Sequence, residues 1–294
     1  MTTMMPLIFA LAGSVVNISD GSMSLVTRIA DAGGSSAASQ PVSRTGTGVP
    51  SITSFSAEPQ TRFLIGGDSY GVHVAGKSYS LTNPDPQTLR FEVRQGDHAW
   101  HDGSHVDRSE VSNAVTIPPG TPINLNYQFM VEPNGPNGSF VNTTKGWFIV
   151  GQMHNDDWAM GPNVATSPPF AIQLASDHVQ IVARHCGTGL NPSNAAGNTK
   201  HLTLWTDPNP IQAGVYNNVQ VQASFSNTSS GYLEVWLNGV QVVNYHGPLG
   251  YGAGTNWEYG IYRSTAPETV AVDYRNLTLT TGASTPVSSG RPSD

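Results

Sequence analysis

The chain has 294 residues, of which 11% are charged, 13 Lys+Arg against 20 Asp+Glu, where ordinary soluble domains carry about a quarter. Its 31 Gly and 21 Pro exclude a protein built on long exposed helices, which need Glu, Lys and Arg and tolerate neither breaker. A hydrophobic share of 38% excludes wholesale disorder, and a net charge of −7 without a basic run excludes a nucleic-acid footprint.

Taken in order, the chain opens on an apolar stretch from Met4 to Val16, the length of a signal-peptide core. No Lys or Arg precedes Arg28, so the basic flank of a signal is missing and the stretch only half supports the expected secreted location. Residues 1–57 read as a leader rich in Gly, Ser, Ala and Thr. No stretch is long enough to span a membrane as a helix.

Short alternating runs follow over 58–280. Leu89, Phe91 and Val93 alternate with Arg90, Glu92 and Arg94. Ile123, Leu125, Tyr127, Phe129 and Val131 alternate with polar residues and Met130, and the same pattern holds at Phe170–Leu174 and Val219–Phe225. Period two predicts half-buried strands. Asn238-Gly239 between two such runs predicts a tight hairpin, and Val270, Val272 and Tyr274 begin the last strand. With turn residues between them, these runs predict an all-β jelly roll, a sandwich of two antiparallel sheets. Residues 281–294 read as a flexible tail. The single cysteine, Cys186, excludes an intrachain disulfide, and it reads as a small core or loop residue at the end of an apolar run rather than a catalytic thiol.

Three segments put polar residues at i and i+2, on one strand face. Arg108 and Glu110 form the first, Gln152 and His154 the second, Glu258, Gly260 and Tyr262 the third. On neighbouring strands of a concave sheet they would converge in one groove, with Gly260 leaving room beside the Tyr262 phenol. Those residue types suit β-elimination from a uronic acid polymer. Donors neutralise the carboxylate and stabilise an enolate-like transition state. A base removes the adjacent proton, and an acid protonates the leaving oxygen. No metal, nucleophile or organic cofactor is needed, and none is expected; a structural calcium is not indicated. Taken singly, each segment is more often an ion pair or packing than a site.

In this order, Arg108-Ser-Glu-Val, Gln152-Met-His154 and Tyr259-Gly-Ile-Tyr262-Arg resemble the signature segments of jelly-roll polysaccharide lyases. The surrounding sequence is similar to the heparinase-type and glucuronan lyase branch, related to alginate lyases. The resemblance implies a concanavalin A-like sandwich with a concave groove. It implies Arg108 and Gln152 as carboxylate neutralisers, His154 as base or neutralising partner, and Tyr262 as acid or as acid and base both. Glu110 would orient Arg108, and Arg263 would contact a neighbouring uronate. Glu258, Arg94, His105 and Trp257 complete the expected substrate-binding set. Two departures remove positive charge: Ser112 and Glu258 stand where alginate lyases often carry Arg and Lys.

Few basic residues disfavour a sulfated polymer such as heparin. Glucuronan, a β-1,4-linked glucuronate polymer, ranks first and alginate next. The expected partner is an anionic polysaccharide, with no nucleic acid or membrane, and the expected state a monomer. Asp97, His98, His101, Asp102, His105 and Asp107 crowd together and read as a hydrophilic loop beside the groove rather than a zinc site. A non-catalytic carbohydrate-binding module would instead need an aromatic platform, for which Trp100, Trp158 and Trp257 are the candidates.

Overall fold

The computed structural model describes residues 17–19, 22–24, 50–157, 166–188 and 197–282. Contacts divide the chain into two compact units, Met1–Pro41 and Val42–Asp294. The first holds an antiparallel strand pair, β1 (Asn17–Ser19) and β2 (Ser22–Ser24).

The second unit is a sandwich of two antiparallel sheets. One sheet contains β3 (Ile52–Thr53), β4 (Arg62–Ile65), β5 (Asp68–Val74), β8 (Val106–Asn113), β10 (Phe148–Asn155), β11 (Phe170–Ala175), β12 (His178–Cys186), β13 (Thr199–Thr206) and β17 (Thr255–Ser264). Its nine strands run β13-β12-β11-β10-β17-β8-β5-β4-β3. The other contains β6 (Leu81–Asp85), β7 (Thr88–Val93), β9 (Pro122–Val131), β14 (Asn217–Ser224), β15 (Tyr232–Leu237), β16 (Val240–His246) and β18 (Val270–Thr281), in the order β16-β15-β14-β9-β18-β7-β6. The chain is therefore the expected all-β jelly roll. Crossovers between the sheets set strands distant in sequence side by side, so the site strands β8, β17 and β10 are adjacent.

Period-two patterning builds the core. On β9, Ile123, Leu125, Tyr127, Phe129 and Val131 all point inward and are buried. They meet Val72, Val111, Met153, Trp257, Tyr259 and Ile261 from the other sheet in one continuous cluster. Asn238 and Gly239 both have positive φ, 52° and 81°, the backbone a two-residue hairpin turn requires. Of the two places expected for Cys186, core or loop, it takes a buried one at the end of β12.

Two irregularities shape the site strands. The β10 register shifts between Ile149 and Gly151, a bulge that re-aims the side chains beyond it. On β17, Gly260 has φ 133°, and a Cβ there would lie 2.3 Å from the Ser109 carbonyl oxygen. Glycine is needed because β17 presses against β8, not to leave room beside the Tyr262 phenol. The Tyr274 hydroxyl, reaching across from β18, lies 2.6 Å from the Val150 carbonyl at the bulge and 2.7 Å from the Gly260 carbonyl. One buried hydroxyl thus ties both irregular backbones to the opposite sheet.

Candidate active site

Cross-strand register assembles the three predicted segments. Tyr262 pairs with Arg108, Gly260 with Glu110 and Glu258 with Ser112; on the other side of β17, Glu258 pairs with Gln152 and Asn256 with His154. Since side chains alternate across a strand, Arg108, Glu110, Gln152, His154, Glu258 and Tyr262 share the outer face of the nine-stranded sheet. A cavity of about 380 Å³ opens there, lined by Arg108, Gln152, His154 and Tyr262 together with Trp147 and Arg184. Ile149, Ala171 and Val182 form an apolar patch packed against Trp147 and Tyr262.

The Arg108 guanidinium is held from several sides. Its Nε and Nη2 donate to the two oxygens of Asp102 at 2.8 and 2.9 Å, and Nη1 donates to Glu110 at 2.5 Å. Three of five N–H donors are engaged, leaving two. Burial works against the charge, but Glu110 and Asp102 outweigh it and hold the pKa above the ordinary arginine value. The guanidinium carbon lies 3.9 Å from the centre of the Tyr262 ring, a cation–π contact.

Glu110 is 1% exposed. Burial pushes its pKa up to about 7 and the nearby Glu258 charge adds to the rise, although Arg108 opposes it. Gln152 Nε2 donates to Glu110 at 2.9 Å and to Glu258 at 3.3 Å. Both amide hydrogens are therefore taken, and Gln152 Oε1 is buried without a partner among the described residues. The expected role of Gln152 as a donor to the uronate conflicts with this arrangement: its amide bridges two carboxylates, and the group left over is an acceptor. Burial also works against the Glu258 carboxylate, but His154, His73 and Arg108 around it hold its pKa below the usual value.

His154 Nδ1 lies 2.9 Å from the Asn155 carbonyl oxygen. A carbonyl oxygen can only accept, so Nδ1 carries the proton of that contact and Nε2 is the ring nitrogen it does not engage. Burial raises the Tyr262 pKa, with Arg108 opposing, so the phenol keeps its proton at neutral pH.

Three expected substrate contacts are corrected. Arg263 is 0% exposed. Its parity on β17 is opposite to that of Tyr262, so it points between the sheets, where it pairs with Asp107 at 3.0 Å and donates to the Ala266 and Glu268 carbonyls. Trp257 has the same parity, is 0% exposed and packs on Tyr127, so it is a core residue and no platform. Arg94 follows β7 on the other sheet, where it pairs with Glu92 and covers the Tyr79 ring. His105, by contrast, packs edge-on to the groove residue Trp147. Trp100 is exposed and packs tilted against His73 and edge-on to His101, and Trp158 lies outside the described residues.

Motif spacing did not reveal Asp102, His73, Trp147 or Arg184. Asp102 belongs to the Asp/His-rich loop, and only folding brings it to Arg108. His73 sits on β5 opposite Glu110; burial lowers its pKa to about 4 although the Glu258 charge opposes the fall, so it is neutral at pH 7. Among the described residues, no cluster of His, Cys, Asp and Glu could hold a metal ion, and no helix is long and apolar enough to cross a membrane.

A search of curated proteins finds no match. Two solved structures share the fold with TM-scores of 0.50. One is an endo-β-1,4-glucuronan lyase from the fungus Trichoderma reesei, 12% identical, covering 72% of this chain and 87% of that one. The other is a family 7 alginate lyase in complex with substrate, 11% identical, covering 71% of this chain and 84% of that one. At such identities the likeness establishes the sandwich alone. The family model described as polysaccharide lyase matches residues 78–280, more than half of the sequence, and the chain belongs to the polysaccharide lyase family, carbon–oxygen lyases that act on polysaccharides.

Proposed function

We propose that this lyase cleaves an unsulfated polyuronate, glucuronan first and alginate second, by β-elimination that leaves an unsaturated uronate end. The supporting observation is one groove cavity lined by a doubly clamped Arg108, by His154 with its Nδ1 on the Asn155 carbonyl, and by a Tyr262 that keeps its proton.

The chemistry follows from those states. The two remaining Arg108 donors take the uronate carboxylate and stabilise negative charge as it spreads from the ring carbon. Glu110, with a pKa of about 7, takes up a proton as that second carboxylate arrives. His154 Nε2 accepts the proton from the carbon bearing the carboxylate. Tyr262 donates its phenolic proton to the leaving glycosidic oxygen, and a raised phenol pKa suits a donor better than a phenolate base. The C–O bond breaks, the double bond forms, and no water is consumed. Gln152 holds Glu110 and Glu258 in place, and Asp102 fixes the Arg108 fork.

Charge supports an unsulfated substrate. Arg108 and Arg184 are the cations among the cavity residues, and Glu110, Glu258 and Asp102 lie close by. A densely sulfated chain would meet more carboxylates than arginines. A secreted location fits a substrate too large to enter a cell.

The test is incubation with glucuronan, alginate and heparin while ultraviolet absorbance follows the new double bond. Absorbance on glucuronan or alginate and none on heparin is expected. Absorbance on heparin alone, or new reducing ends without absorbance, would overturn the reading.

A further inference from the structure

A larger cavity lies on the opposite side of the sandwich. It measures about 520 Å³ on the outer face of the seven-stranded sheet, and none of its lining residues is charged. Its residues come from β9, β14, β15, β18 and the Asn238-Gly239 turn after β15, so it shares nothing with the groove.

Register sets a row across four strands. Trp236 on β15 pairs with Gln220 on β14, Gln220 with Asn126 on β9, and Asn126 with Thr278 on β18. Three strand spacings make this row about 14 Å long. Among the described residues, neither the Gln220 amide nor the Trp236 indole N–H has a partner. The neighbouring row is locked instead. Gln128 donates to Asn218 and accepts from Arg275 at 2.5 Å and from Asn276 at 3.2 Å. Asn276 reaches Gln128 from a β18 bulge, with φ 60°. Within the first row Asn126 donates to Thr278 at 3.4 Å, so a rigid amide row borders a row whose Gln220 and Trp236 groups are the ones left for a ligand.

We propose that this face is a second polysaccharide-binding site, one that holds a strand of the substrate polymer through sugar hydroxyls and pyranose faces. An amide offers a donor and an acceptor to neighbouring hydroxyls. The half-buried Trp236 offers an apolar ring to a sugar face and an N–H at its edge. The uncharged lining recognises the sugar ring and leaves the carboxylate in water. Holding polymer here keeps the groove near its next chain after each cut, an effective-concentration gain that short oligosaccharides cannot use. The choice of polymer rests on the lyase reading above; the site itself does not.

The test is native electrophoresis in gels containing glucuronan or a neutral β-1,4-glucan, with wild type, Trp236→Ala and Gln220→Ala. Retardation in glucuronan should weaken roughly tenfold in Trp236→Ala and less in Gln220→Ala. Cleavage of short oligouronates should stay unchanged, while cleavage of polymer at low concentration slows. Retardation equal to wild type in both variants, with unaltered thermal unfolding, would overturn the proposal. If wild type cleaves no polyuronate yet is retarded by either polymer in a Trp236-dependent way, the second site stands and the lyase chemistry above fails.

Discussion

The Arg108 guanidinium lies 3.9 Å above the Tyr262 ring, and the two residues are direct cross-strand partners on β8 and β17. The contact sets the cation proposed to bind the carboxylate and the phenol proposed to donate the proton side by side. Asp102 fixes the guanidinium plane from the far side, so the pair is positioned before any sugar binds.

Arg108→Lys tests the fork. An ammonium keeps the charge but cannot bridge Asp102, Glu110 and a substrate carboxylate together. The expected loss in kcat/KM is about 10²–10³-fold, the scale of one preorganised transition-state donor, measured by initial rates on polymer. Activity within threefold of wild type would mean that the bidentate geometry is unimportant.

Glu110 predicts a pH effect on stability. Its pKa rises from 4.5 to about 7 in the folded protein, so the folded state binds the extra proton. The stabilisation is present at low pH and is lost as pH rises through that window, about 3 kcal/mol in all. Between pH 5 and pH 8 the wild-type Tm should fall more than that of Glu110→Gln, as read by calorimetry. Parallel Tm profiles would contradict the assignment.

Tyr274→Phe removes the hydroxyl shared by the Val150 and Gly260 carbonyls. Leaving those buried acceptors unpaired should cost about 1–3 kcal/mol in denaturant unfolding. The β10 bulge and the β17 close approach should loosen together, so kcat should fall although Tyr274 touches no substrate. A loss of stability with wild-type kcat would show that the tie does not position the site.

Arg263→Met separates a structural arginine from a substrate contact. It strands Asp107 between the sheets without its cation, a loss of about 3–5 kcal/mol. KM should not change in the folded fraction, measured at low temperature. A raised KM with full stability would restore Arg263 to the substrate-binding set.

Much of this was legible in the residues. Period two on β9 and β17 assigned the core face, and the same period placed Arg108 with Glu110 and Gln152 with His154. On β17 it also assigned Arg263 and Trp257 to the core, because they alternate with Tyr262; reading them as substrate contacts set that parity aside. Other features depend on tertiary contact. Asp102 meets Arg108 through a loop with no periodicity. Ile149 reaches the groove face only because β10 bulges, and the role of Gly260 becomes apparent only when β8 lies against it. The Gln152 amide is oriented by two carboxylates from neighbouring strands.

The division of proton steps between His154 and Tyr262 is tested most directly by incubating an oligouronate in D2O with Tyr262→Phe or His154→Ala, with the carbon next to the carboxylate followed by NMR. The account predicts that Tyr262→Phe places deuterium at that carbon in uncut chains while cleavage slows by about 10²–10⁴-fold, and that His154→Ala neither exchanges nor cleaves. Cleavage at the wild-type rate by His154→Ala, or no deuterium uptake with Tyr262→Phe, would contradict it.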